Sequence, residues 1–194
     1  MIRCIFVVLT LVQLAAASLT FDPLQGDNGT DYFGHNEAGF LVDVVDGLFY
    51  EAQFFGNPTP SIFGVGVSSL RITRAASLLF TFTSLDVSSN VFAGADFELV
   101  GTLQNQELFR LMERVMQPST FTGIMNPQAQ VQIDELLIFV SPNDATSFNV
   151  DNIHASAIPE PSSVLLLSAG VSMVALWSRV RSVARCKAQR RERA

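Results

Sequence analysis

Between residues 40 and 155 the chain runs in short apolar stretches rich in Val, Ile, Phe and Leu, broken by Gly, Pro and Asn. No stretch there reads as a long helix. Residues 40–45, 48–55, 62–67, 70–74, 78–83, 97–103, 120–124, 131–140 and 147–155 read as strands. Turn chemistry falls between them at Asp46-Gly47, Gly56-Asn57-Pro58, Ala93-Gly94, Asn126-Pro127 and Ser141-Pro142-Asn143. Residues 107–116 fit either period: Leu108, Leu111, Met112 and Val115 suit a helix, while Phe109, Leu111, Glu113 and Val115 suit a strand. Neighbouring strands favour the strand. Eight to ten strands at this spacing predict an all-β fold, an antiparallel β-sandwich of jelly-roll type.

Composition changes sharply outside this region. Residues 18–157 hold no Lys, Cys or Trp, and they set four arginines against sixteen Asp and Glu. The segment therefore carries about −12, although the whole chain reads −6. So acidic a surface excludes nucleic acid as a partner, because phosphate binding rests on basic residues. The two cysteines, Cys4 and Cys186, lie outside the segment, so no disulfide staples it. About 140 residues with fifteen phenylalanines are enough for one hydrophobic core.

The two ends carry the strongest signals. Met1-Ile2-Arg3, an apolar stretch from Cys4 to Leu14, and Ala15-Ala16-Ala17 before Ser18 form the pattern of a secretory signal peptide. Ala15 and Ala17 are the small residues at the expected cleavage site, and Ser18 is the expected first mature residue. At the other end, Pro159-Glu160-Pro161 precedes an uncharged stretch over 162–178, short but compatible with a span of roughly 30 Å. Trp177 sits at its boundary, and Arg179, Arg181 and Arg185 open a basic tail over 179–194. The positive-inside bias places that tail in the cytoplasm and everything before Pro159 on the far side of the membrane.

Ile158-Pro159-Glu160-Pro161-Ser162-Ser163, the short span and the Arg-rich end resemble the PEP-CTERM sorting signal of Gram-negative bacteria. That resemblance implies exosortase as a processing partner, with the protein held in membrane lipid until it is cut near the motif and passed to the surface or released. Signal peptidase is the partner implied at the other end. The division expected is a signal peptide over 1–17, an exported β-sandwich over 18–157, and a sorting signal with one transmembrane helix over 158–194. Phe54 to Ile62, Leu70 to Arg74 and Phe148 to Ile153 are also similar to β-sandwich domains that precede such tails.

Candidate chemistry inside the exported segment is sparse. His35 and His154 are the two histidines, and no Gly-x-Ser-x-Gly elbow or cysteine nucleophile accompanies them, so no enzyme is expected. Each lies in a polar, loop-like or strand-end context, and His154 reads as a surface histidine. Asp27 and Asp31, with Asp151 near the far end of the segment, are candidate calcium ligands, because calcium takes hard oxygens. The plainer reading makes Asp27 to Asp31 a turn and Asp151-Asn152 a strand cap. Three functions remain at this level: a non-enzymatic surface or matrix protein in contact with polysaccharide, an exported hydrolase, and an ice-binding or adhesion module. Sugar platforms favour Trp and Tyr, and Tyr32 and Tyr50 are the only such residues, which favours structural association in an exopolysaccharide matrix. The Thr-x-Thr pairs Thr81 to Thr83 and Thr120 to Thr122 do not repeat as an ice-binding array would.

Overall fold

The computed structural model describes residues 16–90, 94–116, 118, 120–141 and 147–158. Ala15, Pro159, Glu160, Pro161, Trp177, Arg179, Arg181 and Arg185, with the predicted span over 162–178, lie outside them. Among the described residues no helix is long and apolar enough to cross a membrane.

The strands, in chain order, are β1 (Ala16–Leu19), β2 (Asp31–Tyr32), β3 (Gly34–Glu37), β4 (Phe40–Ala52), β5 (Ser61–Arg74), β6 (Phe80–Ser89), β7 (Ala95–Leu103), β8 (Gln106–Val115), β9 (Thr122–Met125), β10 (Gln132–Ile133), β11 (Glu135–Ser141) and β12 (Ser147–Ala157). The only helical element described is one 3-10 turn, Ala75–Ser77. The all-β expectation holds. The ambiguous 107–116 segment is strand β8, whose Phe109 and Val115 face the core.

One predicted turn, Asp46-Gly47, is absent, and its absence makes the architecture. Residues 40–45 and 48–55 were expected as separate strands around Asp46-Gly47; β4 instead runs on through them, with register irregularities between Val44 and Leu48. Gly47 takes φ 82°, and any side chain there would collide with Ser68 on the facing strand. Asp-Gly here makes a bulge, which bends a strand without ending it. Gly66, at φ 72°, lies in the corresponding stretch of β5. The two long strands therefore bend together as one hairpin.

That bend lets one hairpin serve two sheets. The second half of β4 carries β2 at its edge, and the first half of β5 pairs with β12, which pairs with β6. β9 and β10 close the far side of β6. The first half of β4 carries β3, and the second half of β5 pairs with β11, followed by β7 and β8. Every strand pairing is antiparallel. The later half of β12 is freed from β5, and β1 pairs with it there.

The two sheets enclose a phenylalanine core. Phe40 meets Phe80 edge-on at 5.3 Å, Phe97 meets Phe148 at 5.8 Å, and Phe82 stacks on Phe109 at 6.4 Å. Each pair joins one sheet to the other. These geometries suit the aromatic quadrupole. Gly64 is required under Phe148, because a Cβ there would enter the ring.

Candidate functional site

The outer face of the first sheet is closed. Phe148 and Val150 of β12 point into the core, so Asn149 and Asp151 point the other way, yet all four are buried. The hairpin loop after β4 lies over this face. Its Asn57 backbone N–H donates to Asp151 at 2.6 Å, and the Asn152 N–H donates to the other Asp151 oxygen at 2.8 Å. Asp86 is the cross-strand neighbour of Asp151 and accepts from the Asn57 amide at 3.1 Å and the Asn152 amide at 3.0 Å. The Asn152 amide also donates to the Asn57 carbonyl. Burial, with help from the Asp86 and Asp22 charges and against the two N–H donors, pushes the Asp151 carboxyl up to about 7. Asp151 is wholly enclosed and its oxygens are taken by backbone N–H groups, so with Asp86 it fastens a loop.

The proposed calcium trio is not brought together. Asp27 makes a turn, accepting from the Thr30 N–H at 2.9 Å, and Asp31 pairs with Tyr50 on β4. β4 and β5 separate Asp31 from β12, three strand spacings in all, or roughly 14 Å. Asp151 is no strand cap either: it lies inside β12, where the register to β6 shifts and Asn152 takes φ 43°. Among the described residues no group of three or more His, Cys, Asp or Glu could hold a metal ion.

His154, expected at the surface, is half-buried, and so is His35. His35 lies in a half-enclosed chain: its Nδ1 is 2.7 Å from the Tyr32 hydroxyl and its Nε2 3.1 Å from Glu37. Glu37 accepts in addition from the Thr20 backbone and hydroxyl and from the Phe21 N–H. Burial alone raises the Glu37 carboxyl, but these donors outweigh it and hold it below the usual range. Burial pushes the Tyr32 hydroxyl up. The network ties the β1 exit to β3. His154 Nδ1 sits 2.7 Å from Ser18 Oγ, joining β12 to the strand that holds the predicted cleavage site. Ser18 and Ala17 pair with His154 and Ala155 of β12.

The outer face of the second sheet is open. A groove of about 580 Å³ crosses it, lined by parts of β4, β5, β11, β7 and β8. Its floor is a row of residues in direct cross-strand register: Asp46, Ser69, Phe139, Glu98 and Met112. Five strands at roughly 4.8 Å spacing make this row roughly 19 Å long. Phe139 is 39% and Met112 73% exposed, and Val67 beside them is 70% exposed. Exposed apolar side chains grouped on one concave face mark a binding surface more often than scattered ones do. One flanking row runs Arg71, Leu137, Val100, Arg110; the other runs Ser141, Asp96, Arg114. Arg71 pairs with Asp43 at 3.1 Å, Arg110 with Glu98 and Glu107, and Arg114 lies 3.7 Å from Asp96. These pairs fix the polar side chains on either bank.

None of these groove residues stood out in the sequence as part of a binding site. The two tyrosines considered for a sugar platform lie elsewhere: Tyr32 is buried, and Tyr50 stacks on Phe63 at 5.1 Å on the first sheet. One signal was present. Residues 136–140 are apolar at every position, so one of the strand's two faces had to expose apolar surface or find a cover.

No family model matches the sequence, and no curated protein matches it. Solved structures similar to this chain include carbohydrate-binding modules. The family 29 module CBM29_1 of Piromyces equi is 12% identical, with 76% of this chain and 93% of that one covered and a TM-score of 0.47. The CBM22-1 xylan-binding domain of Xyn10C from Paenibacillus barcinonensis is 13% identical, over 74% and 94%, with a TM-score of 0.41. The family 32 module of NanJ from C. perfringens, solved in complex with galactose, is 8% identical, over 61% and 97%, with a TM-score of 0.40.

Proposed function

We propose that this chain is an exported, non-enzymatic surface or matrix protein whose jelly-roll sandwich holds an extended polysaccharide in the groove of its second sheet. The observation that carries this reading is the register row from Asp46 to Met112. Phe139 and Met112 in that row suit the C–H faces of sugar rings, and its carboxylates and serine hydroxyl suit their hydroxyl groups. The row crosses the strands at right angles, as a linear chain laid over a sheet would. Delivery is the part assigned to the sequence ends: a signal peptide cut before Ser18, then membrane anchoring and exosortase processing at Pro159-Glu160-Pro161.

Both halves have direct tests. The full-length protein, purified from an exporting host and screened on a panel of immobilised polysaccharides, is expected to retain at least one of them. Phe139→Ala is expected to weaken that retention about tenfold or more, as loss of a central aromatic anchor does. Uniform indifference to the whole panel would sink the binding half. For delivery, replacing Pro159, Glu160 and Pro161 by alanine in a host with exosortase is expected to leave the precursor uncut in the membrane fraction. Unchanged size and location of the mature protein would remove the sorting half.

A further inference from the structure

We infer that Arg74 is a latch for the sorting motif: its guanidinium takes the Glu160 carboxylate and holds Pro159-Glu160-Pro161 against the sandwich until processing. This rests on the sorting reading above and adds a control to it. Residues 18–157 hold four arginines among sixteen acids. Arg71 pairs with Asp43, Arg110 with Glu98 and Glu107, and Arg114 lies beside Asp96. Arg74 alone meets no carboxylate among the described residues. In so acidic a domain that exception needs a reason.

The guanidinium is nevertheless held in place. It lies over the ring of buried Phe40, 5.6 Å from the centroid. Its Nη1 donates to the Leu79 carbonyl at 3.0 Å and reaches the Ile158 carbonyl at 3.5 Å. The Ile158 N–H donates to the same Leu79 carbonyl at 3.0 Å. Nε is buried and meets no acceptor. A buried donor without a partner is costly, the more so on a charged group. The Nε edge is also one through which arginine takes a carboxylate in two parallel hydrogen bonds. The unmet donor therefore sits where the chain leaves the fold.

The chain itself supplies the anion. Glu160 follows Ile158 by two peptide units, so its Cα stands within about 7.6 Å of the Ile158 Cα. It is the only acid between Ile158 and Glu192. Arg74 ends β5, Leu79 precedes β6 and Ile158 follows β12, so the latch exists only in the folded domain. Proteases cut the population in which their target is free, so a held motif is cut at a rate set by latch opening.

The test uses the full-length precursor in neutral detergent and reads hydrogen exchange at the Ile158 backbone amide, which donates to Leu79. Arg74→Gln and Glu160→Gln are each expected to speed this exchange about tenfold, as loss of a charge-assisted bond does. The double variant is expected to go no further, because both changes remove one contact. The Val150 amide, inside β12, is expected to stay unchanged, which separates latch opening from unfolding. Indifference to Glu160→Gln, or additive effects in the double variant, overturns the latch and assigns Arg74 to another anion, such as a lipid phosphate. In a host with exosortase, Arg74→Gln is expected to speed conversion of the precursor about tenfold, in step with the open population. Unchanged or slower conversion also overturns the latch. A wild-type precursor that is never converted there removes the sorting reading, and the exchange measurement still decides the Arg74–Glu160 pair.

Discussion

The two outer faces of this sandwich spend the same residue types in opposite ways. On the first sheet, acids and amides (Asp86, Asp151, Asn57 and Asn152) are drawn inward under a loop and satisfied by backbone N–H groups and one another. On the second, acids stand at the surface beside exposed Phe139, Met112 and Val67, held by arginines or, at Asp46, by the Gly47 N–H. An acid's neighbours therefore decide whether it builds the fold or remains free to meet a ligand. Enclosure removes water and makes every unmade bond costly, whereas exposure leaves a charge cheap to keep and ready for exchange.

The largest expected contrast is with pH. The Asp151 carboxyl has its folded value raised to about 7, above the ordinary 3.8, so the folded state holds a proton that the unfolded chain has released. Its contribution is fully present below about pH 4 and is lost as pH rises through about 7, at up to roughly 1.4 kcal/mol per pH unit. Denaturant unfolding between pH 5 and pH 8 is expected to show stability falling with pH, and Asp151→Asn to flatten that profile. A profile of unchanged slope in the variant would assign the effect to other groups and erase the contrast between faces.

Next in size is the loop fastening. Asn57→Ala removes the amide that reaches Asp86 but keeps the backbone donor to Asp151, so a loss of about 1–2 kcal/mol is expected, read as a lower thermal midpoint. Protection of the Asn57 and Asn152 backbone amides in hydrogen exchange is expected to fall with it. On the open face the effects on stability shrink. Phe139→Ala is expected to cost at most about 1 kcal/mol, because much of the ring is already in water. Met112→Ala is expected to stay within about 0.5 kcal/mol, because the side chain is already mostly in water. A large loss of stability from Met112→Ala would make the groove another structural face.

Much of the fold was legible in local sequence. Between residues 40 and 155 the strand runs, the lack of a long helix and the strand character of 107–116 follow from alternation and turn residues, and among the described residues the structure places strands there. Errors gathered where a local signal has two outcomes. Asp46-Gly47 suits a hairpin turn and a bulge equally, and only the facing Ser68 on β5 selects the bulge. Residues 131–140 read as one strand but divide at Asp134 into β10 and β11, which join different sheets. Short β1, β2 and β3 escaped notice, because two to four residues give no periodicity and depend on their partners for existence.

The candidate site was less legible. Asp46, Ser69, Glu98, Met112 and Phe139 come from five strands and 94 positions of sequence. Nothing local marks them as neighbours, since each is an ordinary residue in its own strand. The same holds for Asp86 and Asp151, which lie 65 positions apart and meet only through the pairing of β6 with β12.

Sequence alone determined the all-β class, the acidity of residues 18–157 and a core built without disulfides, because these depend on composition and on patterns within one strand. It also carries the whole case for export and sorting, in the order of short motifs at the two ends. The tertiary structure decided that β4 and β5 bend from one sheet into the other, that one outer face closes over buried acids, and that the other stays open as a groove. Those outcomes rest on register between strands distant in the chain, where a slip of one residue would turn each side chain to the opposite face.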